Sequence, residues 1–166
     1  MNLEYKTYEE AKENFRWSER WEVFDKSREN LNIAYECVDR HPKEKIAIRL
    51  KFDNGRRETY TFGEISRWTS QFANMLERYG INAGDCVAIM LDPSLEYYVS
   101  FYGTLKRGAV AVPCYALLGP EGIEYRLRES NAKMAIMSRE RASLVNPGLV
   151  SHLIIAEELR ELIQDE

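Results

Sequence analysis

The side chains best able to do chemistry in this sequence are few and scattered. Gly103 and Gly108 have the spacing that opens a phosphate-binding loop, but Ala109 and Val110 follow where a Lys and a Ser or Thr belong. Such a cradle also needs a strand-to-helix turn. Here the order reads helix to strand, so Gly103 is expected to permit close helix packing instead. Neither G-x-G-x-x-G nor G-x-S-x-G occurs, which removes simple dinucleotide binding and the hydrolase elbow. His41 and His152 stand far apart without ligand-spaced neighbours, and read as a helix terminus and a strand edge rather than a metal site. Cys114 follows Pro113 near a strand's carboxyl end, where open α/β sheets put their ligands. With no candidate base nearby, it is expected to be a small buried residue, not a nucleophile. Arg139 and Arg141 flank Glu140 after another strand. Two guanidiniums there could meet a phosphate, or form a solvated loop paired with Glu140 or water.

The elements that must position these residues are more legible. In "NLNIAYECVDRHP", Asn32 can cap a helix whose apolar face carries Ile33, Ala34, Cys37 and Val38, with His41-Pro42 ending it. "KIAIRLKF" alternates, with Ile46, Ile48, Leu50 and Phe52 on one face. Asp53-Asn54-Gly55 turns the chain and "RRETYTF" returns, so 45–61 is a β-hairpin. Thr61-x-x-Glu64 is a capping box, followed by a helix with Ile65, Trp68, Phe72, Leu76 and Tyr79 on one face and closed by Gly80. Beyond the Gly84-Asp85 turn, Cys86 to Leu91 is apolar without alternation, as in a strand covered on both faces. Ser94 caps the next helix, whose buried stripe is expected to be Leu95, Tyr98, Tyr102 and Leu105, ended by Gly108. Strand "AVAVP", a helix from about Pro120 bearing Ile123 and Leu127, strands "KMAIM" and "HLIIA", and a helix "EELRELIQ" complete the chain.

From residue 61 helix and strand alternate four times over short connections. That pattern predicts an α/β fold: an open, mostly parallel sheet with helices on both faces, plus the N-terminal hairpin at its edge or in a neighbouring sheet. Residues 1–29 are expected to form an extension of short helical pieces packed on the body, anchored by Phe15, Trp17, Trp21 and Phe24, with 30–166 as the α/β subdomain. At 166 residues and 45% hydrophobic composition the chain can bury a core, removing roughly 70% of its unfolded surface from water. A net charge of −4 disfavours non-specific nucleic-acid binding. The N-terminus lacks a signal peptide's apolar region, and no run approaches a membrane span of roughly 20 apolar residues. Cys37, Cys86 and Cys114 are odd in number and unpaired in spacing, which suits reduced thiols in the cytoplasm.

Two stretches carry a family resemblance. "YTFGEISRWTSQFANMLERYGINAGDCVAIML" (60–91) resembles the first core motif region of the AMP-forming acyl-CoA synthetases, which belong to the adenylate-forming enzymes. "LKRGAVAVPCYALLGPEGIEYRLRESNAKMAI" (105–136) is similar to their second core motif, L-K-x-G-A-V-x-x-P, and the helix after it. "NLNIAYECVDRHPKEKIAI" resembles the start of the family's first domain, so the likeness runs over about 30–140 in order and spacing.

The resemblance implies an acid–CoA ligase that uses ATP, Mg and CoA to make an acyl-adenylate and then a thioester. It further implies that this chain is the first part of the large N-terminal domain. The family's phosphate loop, roughly [ST]-[ST]-G-[ST]-[ST]-G-x-P-K, is not found: Thr69-Ser70 leads into Gln71 within a helix. The adenine and ribose motifs and the adenylation lysine are likewise not found. The chain is therefore expected to be inactive alone, with no catalytic residue of its own and no metal ligand. On this likeness the loops after the second motif lie near the CoA and acyl side of the cleft. Tyr115 stands where some acetyl-CoA synthetases carry Gly-Gly, a departure more like aryl or longer-acyl ligases, and is a candidate substrate contact. Arg139 and Arg141 are candidate contacts for CoA phosphates. The expected partner is the remainder of such a ligase, in cis or in trans, with a homodimer through an exposed truncation surface as another possibility. The alternative function is a short non-catalytic module, completing a partner or binding CoA.

Overall fold

In the computed structural model, which describes residues 5–166, the chain divides into two units, Met1–Asn32 and Ile33–Glu166. The first four residues of the expected extension lie outside the described ones. In the first unit Thr7 caps helix α1 (Tyr8–Asn14), its hydroxyl accepting from the Glu10 amide at 3.1 Å. A 3-10 stretch follows over Trp17–Val23. Its aromatics meet one another: Phe15 and Trp17 edge to face at 5.4 Å, and Trp21 and Phe24 at 5.9 Å.

The second unit opens with a π-helical turn, Tyr35–Asp39. Ala34, just before the turn, and Val38 within it are buried apolar residues four apart, while Ile33 and Cys37 face solvent. The expected stripe was thus too wide. Widening the helix swings Cys37 outward and brings Glu36 into the interior, where Arg40 neutralises it. The hairpin forms as expected from β1 (Ile46–Lys51) and β2 (Arg57–Thr61), antiparallel and in their own two-stranded sheet. Gly55 at φ +82 supplies the left-handed turn residue. A register shift between Ile46 and Ile48 breaks the alternation, leaving Ile46 exposed while Leu50 is buried.

The Thr61 box is complete at the start of α2 (Phe62–Arg78). Thr61 Oγ1 accepts from the Glu64 amide at 3.3 Å and Glu64 Oε2 accepts from the Thr61 amide at 2.8 Å. Then come β3 (Cys86–Met90), α3 (Leu95–Lys106), β4 (Val110–Pro113), α4 (Pro120–Glu129), β5 (Met134–Met137), α5 (Arg139–Ala142), β6 (His152–Ile155) and α6 (Leu159–Ile163). Strands β3 to β6 form one parallel sheet in the order β4-β3-β5-β6. Successive residues alternate between two cores, as a pleated strand requires. Val87, Ile89, Met134 and Ile136 pack with α2, α3 and α6, whereas Ala88, Met90, Ala135 and Met137 pack with α4 and α5. Both faces of the sheet are covered, which is why these strands read as unbroken apolar runs.

Helix α3 departs from the expected stripe. Its buried residues are Leu95, Val99, Ser100, Gly103 and Thr104, with Tyr98, Tyr102 and Leu105 only half-buried. The rotation has a steric cause. At Gly103 the helix lies against α2 so closely that an added Cβ would sit 2.5 Å from Phe72 Cδ1 and 3.0 Å from the Thr69 carbonyl oxygen. Small side chains therefore take the contact face, and the tyrosines are turned away from it.

Candidate functional site

Two neighbouring strands of the sheet send their chains to opposite faces. From β3 the chain enters α3, which packs into one core; from β4 it enters α4, which packs into the other. Where adjacent connections diverge in this way, a crevice opens at the carboxyl ends of the strands, the usual ligand position in open α/β sheets. A cavity of about 680 Å³ lies there. One wall is Leu91, Asp92 and Pro93 after β3, another Pro113, Cys114, Tyr115 and Ala116 after β4, and the third is the aromatic face of α3. That face carries Tyr97, Tyr98, Phe101 and Tyr102, with Tyr97 and Phe101 stacked at 6.0 Å and Phe101 edge-on to Tyr102 at 5.4 Å. The same rotation that gives Gly103 to Phe72 gives these rings to the crevice.

The chemistry of this lining is that of binding. Burial pushes the Tyr102 phenol up, so it remains a neutral hydrogen-bonding group at physiological pH. The Cys114 thiol is 8% exposed and also raised by burial, with Val112 O as acceptor at 3.5 Å. It is a small buried wall residue, as the sequence led one to expect. Asp92 is the one carboxylate in the lining. A single carboxylate among phenols and apolar groups does not fit a divalent cation such as Mg, which takes several oxygen ligands. Among the described residues no group of three or more His, Cys, Asp or Glu is placed to hold a metal.

Tyr115, the sequence candidate for substrate contact, lies at the rim of this cavity with 81% of its surface exposed. The two candidate arginines sit after β5 and diverge. Ser138 caps the short α5 that carries them. The Arg139 side chain pairs with Glu158 at 2.5 Å, and its backbone amide donates to Glu157. The acid it meets is therefore Glu158 from the connection after β6, and not Glu140. Arg141 reaches the loop between β4 and α4, donating from Nη1 to the Leu118 carbonyl at 3.3 Å. Arg141 thus bonds the loop that carries Tyr115, three residues further along it, and Arg139 does not. Next to Leu118, Gly119 stands at the N-cap of α4 and gives its first amides no side-chain cap.

Two features escaped the reading of the sequence. Tyr97 and Phe101 join the crevice because α3 is rotated. On the far side, Lys106 Nζ reaches Asp39 Oδ1 at 2.8 Å, and the Ser66 hydroxyl donates to the same oxygen at 2.7 Å. This network ties the π-helical turn, α2 and α3 together. No local pattern announces a contact between residues so distant in sequence. The histidines fall as expected: His152 begins the edge strand β6 against Tyr79, and His41 follows the π-helical turn and stacks on Phe62.

Comparison with known proteins places this geometry. A family model described as AMP-binding enzyme matches residues 35–165. The chain is 34% identical over 154 residues to an acetyl-coenzyme A synthetase of Bacillus subtilis (strain 168), covering 89% of this chain and 27% of that protein. It is 32% identical over 150 residues to an acetyl-coenzyme A synthetase of Chlorobaculum tepidum, covering 81% of this chain and 23% of that protein. The chain thus spans about a quarter of the length of these curated relatives. Among solved structures, an acyl-CoA synthetase of Brucella canis superposes with a TM-score of 0.79 at 25% identity, over 87% of this chain and 29% of that one. The anthranilate CoA ligase AuaEII in complex with anthranoyl-AMP superposes at 0.69 with 27% identity, over 80% and 27%.

Proposed function

Since the chain belongs to the AMP-binding, adenylate-forming enzyme family, we propose that it forms one wall of the substrate cleft of an AMP-forming acid–CoA ligase. The whole reaction joins a carboxylate to ATP as an acyl-adenylate with release of pyrophosphate, then transfers the acyl group to CoA with release of AMP. The observation that carries this reading is the aromatic crevice at the divergence of β3 and β4, in a chain whose relatives are acyl- and acetyl-CoA synthetases.

In this reading the crevice receives the organic arm of a substrate. Tyr97, Tyr98, Phe101 and Tyr102 exclude water and offer ring faces, and Tyr115 borders the mouth. Arg141, beside the uncapped start of α4, is the residue this reading assigns to the CoA phosphates. Arg139 is committed to Glu158 and supports the loop. The aromatic lining and Tyr115 favour an acid larger than acetate. Neither the lining nor the sequence offers a phosphate loop or an adenylating lysine, so the described residues bind and orient without performing the chemical step.

The test has two parts. Calorimetric titration of the chain with CoA is expected to give binding that Arg141→Ala weakens about tenfold, while Arg139→Ala changes it little. ATP–pyrophosphate exchange with a panel of carboxylic acids is expected to be nil for the chain alone. It should appear when the chain replaces the matching segment of the Bacillus subtilis relative. A chimera that folds yet gives no exchange with any acid would overturn the ligase reading.

A further inference from the structure

We infer that Arg141 is a latch on the loop that carries Tyr115, so that an anion drawing this guanidinium away loosens the mouth of the crevice. The loop 114–119 joins β4 to α4. At its start the Cys114 amide donates to Ile89 O at 2.8 Å, and the side chain is buried. Beyond that anchor the chain makes one turn, closed by the Leu118 amide donating to Tyr115 O at 3.3 Å. Tyr115 and Leu117 are 81% and 82% exposed, so neither packs the turn in place, and the Leu118 side chain at its end rests on the core under α4 and α5. Among the described residues, the one side-chain hydrogen bond into the 115–118 turn comes from Arg141 Nη1 to Leu118 O.

Arg141 itself is well held. Its amide donates to Ser138 Oγ at 3.3 Å at the end of β5, and in the sheet β3 lies between β5 and β4. The side chain therefore spans from one strand's connection to another's, and its charge faces a neutral carbonyl. A phosphate or pyrophosphate offers this guanidinium an opposite charge and a bidentate pair of bonds, where the neutral carbonyl accepts only one. An anion arriving at Arg141 takes the guanidinium and leaves Leu118 O unpaired, and the turn loses its one side-chain hydrogen bond from outside, keeping only the Leu118 side chain against the core. Arg139 cannot replace it, because Glu158 already holds that guanidinium. The latch rests on these contacts. Its coupling to a phosphate-bearing ligand rests on the ligase reading above, in which Arg141 faces that ligand.

Fluorine NMR on the whole chain labelled with fluorotyrosine tests this, with the Tyr115 resonance assigned from Tyr115→Phe. CoA and inorganic pyrophosphate serve as probes. In the unsubstituted chain either probe should narrow the Tyr115 line by about twofold as the ring gains mobility. In Arg141→Ala the line should already be narrow and should not respond. Arg141→Lys, which keeps a donor and the charge, should fall between, and its melting midpoint checks that the fold is intact. A Tyr115 line in Arg141→Ala identical to that of the unsubstituted chain overturns the latch. A line that narrows on substitution but ignores both probes upholds the tether and overturns the coupling. Binding of CoA by calorimetry with no change at Tyr115 leaves the ligase reading standing and removes the latch alone.

Discussion

Gly103 of α3 and Phe72 of α2 are in such close contact that a single methyl on Gly103 would come within 2.5 Å of the phenyl ring. The same methyl would meet the Thr69 carbonyl oxygen at 3.0 Å, and a backbone atom inside a helix cannot step aside. Gly103→Ala gains about 0.5–1 kcal/mol of helix propensity but incurs an overpacking cost of about 1–3 kcal/mol. The expected result is net destabilisation, read as a lower urea midpoint by circular dichroism. A midpoint at or above that of the unsubstituted chain would show that Phe72 yields, and that the contact does not set the rotation of α3.

Asp39 holds the π-helical turn to α2 and α3 through Ser66 and Lys106, and Lys106 is only 17% exposed. Removing the acid strands a partly buried ammonium. Asp39→Ala should cost about 1.5–3 kcal/mol, the range for hydrogen bonds to charged groups. In a double-mutant cycle with Lys106→Ala the two losses should be less than additive. Full additivity in urea denaturation would mean that the pair is not coupled.

Glu64 has its carboxyl held below the usual range, first by the Thr61 amide and then by the Thr61 hydroxyl. A depressed carboxylate stabilises the fold fully above its unfolded value of about 4.3, and that contribution is lost as pH falls through the lower folded value. Glu64→Gln keeps an acceptor but no charge. It should be less stable than the parent at neutral pH, with the gap closing as the solution is acidified. Urea midpoints measured across that range decide it; a gap independent of pH would assign the capping box no charge contribution.

Three thiols provide a check on burial. Cys37 is exposed, Cys86 intermediate and Cys114 buried with a raised pKa. An aromatic disulfide reagent should label Cys37 first and Cys114 only on unfolding, with mass spectrometry of peptides locating the label. Rapid labelling of Cys114 in the native chain would mean that the crevice wall opens.

Much of the fold could be read from local chemistry. The Thr61 box, the Asp53-Asn54-Gly55 turn and the glycines at 80, 84 and 108, all at positive φ, act over a few residues and are written in those residues. The apolar runs at 86–90 and 134–137 announced strands covered on two sides. Tyr98 and Tyr102 were misread as core for the same reason that these succeeded. Helical spacing reports that residues share a face, but it does not report which face meets the sheet.

The sequence by itself determined the elements, their order and their parallel character, because capping, turn geometry and hydrophobic period are decided between neighbours along the chain. Only the tertiary structure decided the strand order β4-β3-β5-β6, and with it the place where the connections diverge. It also decided that Arg139 meets Glu158 while Arg141 reaches the Tyr115 loop. A strand's neighbour and a guanidinium's acceptor are chosen by packing among distant segments. The contact of Gly103 with Phe72 turns α3 so that its rings line the crevice, and that contact exists only once the two helices are folded together.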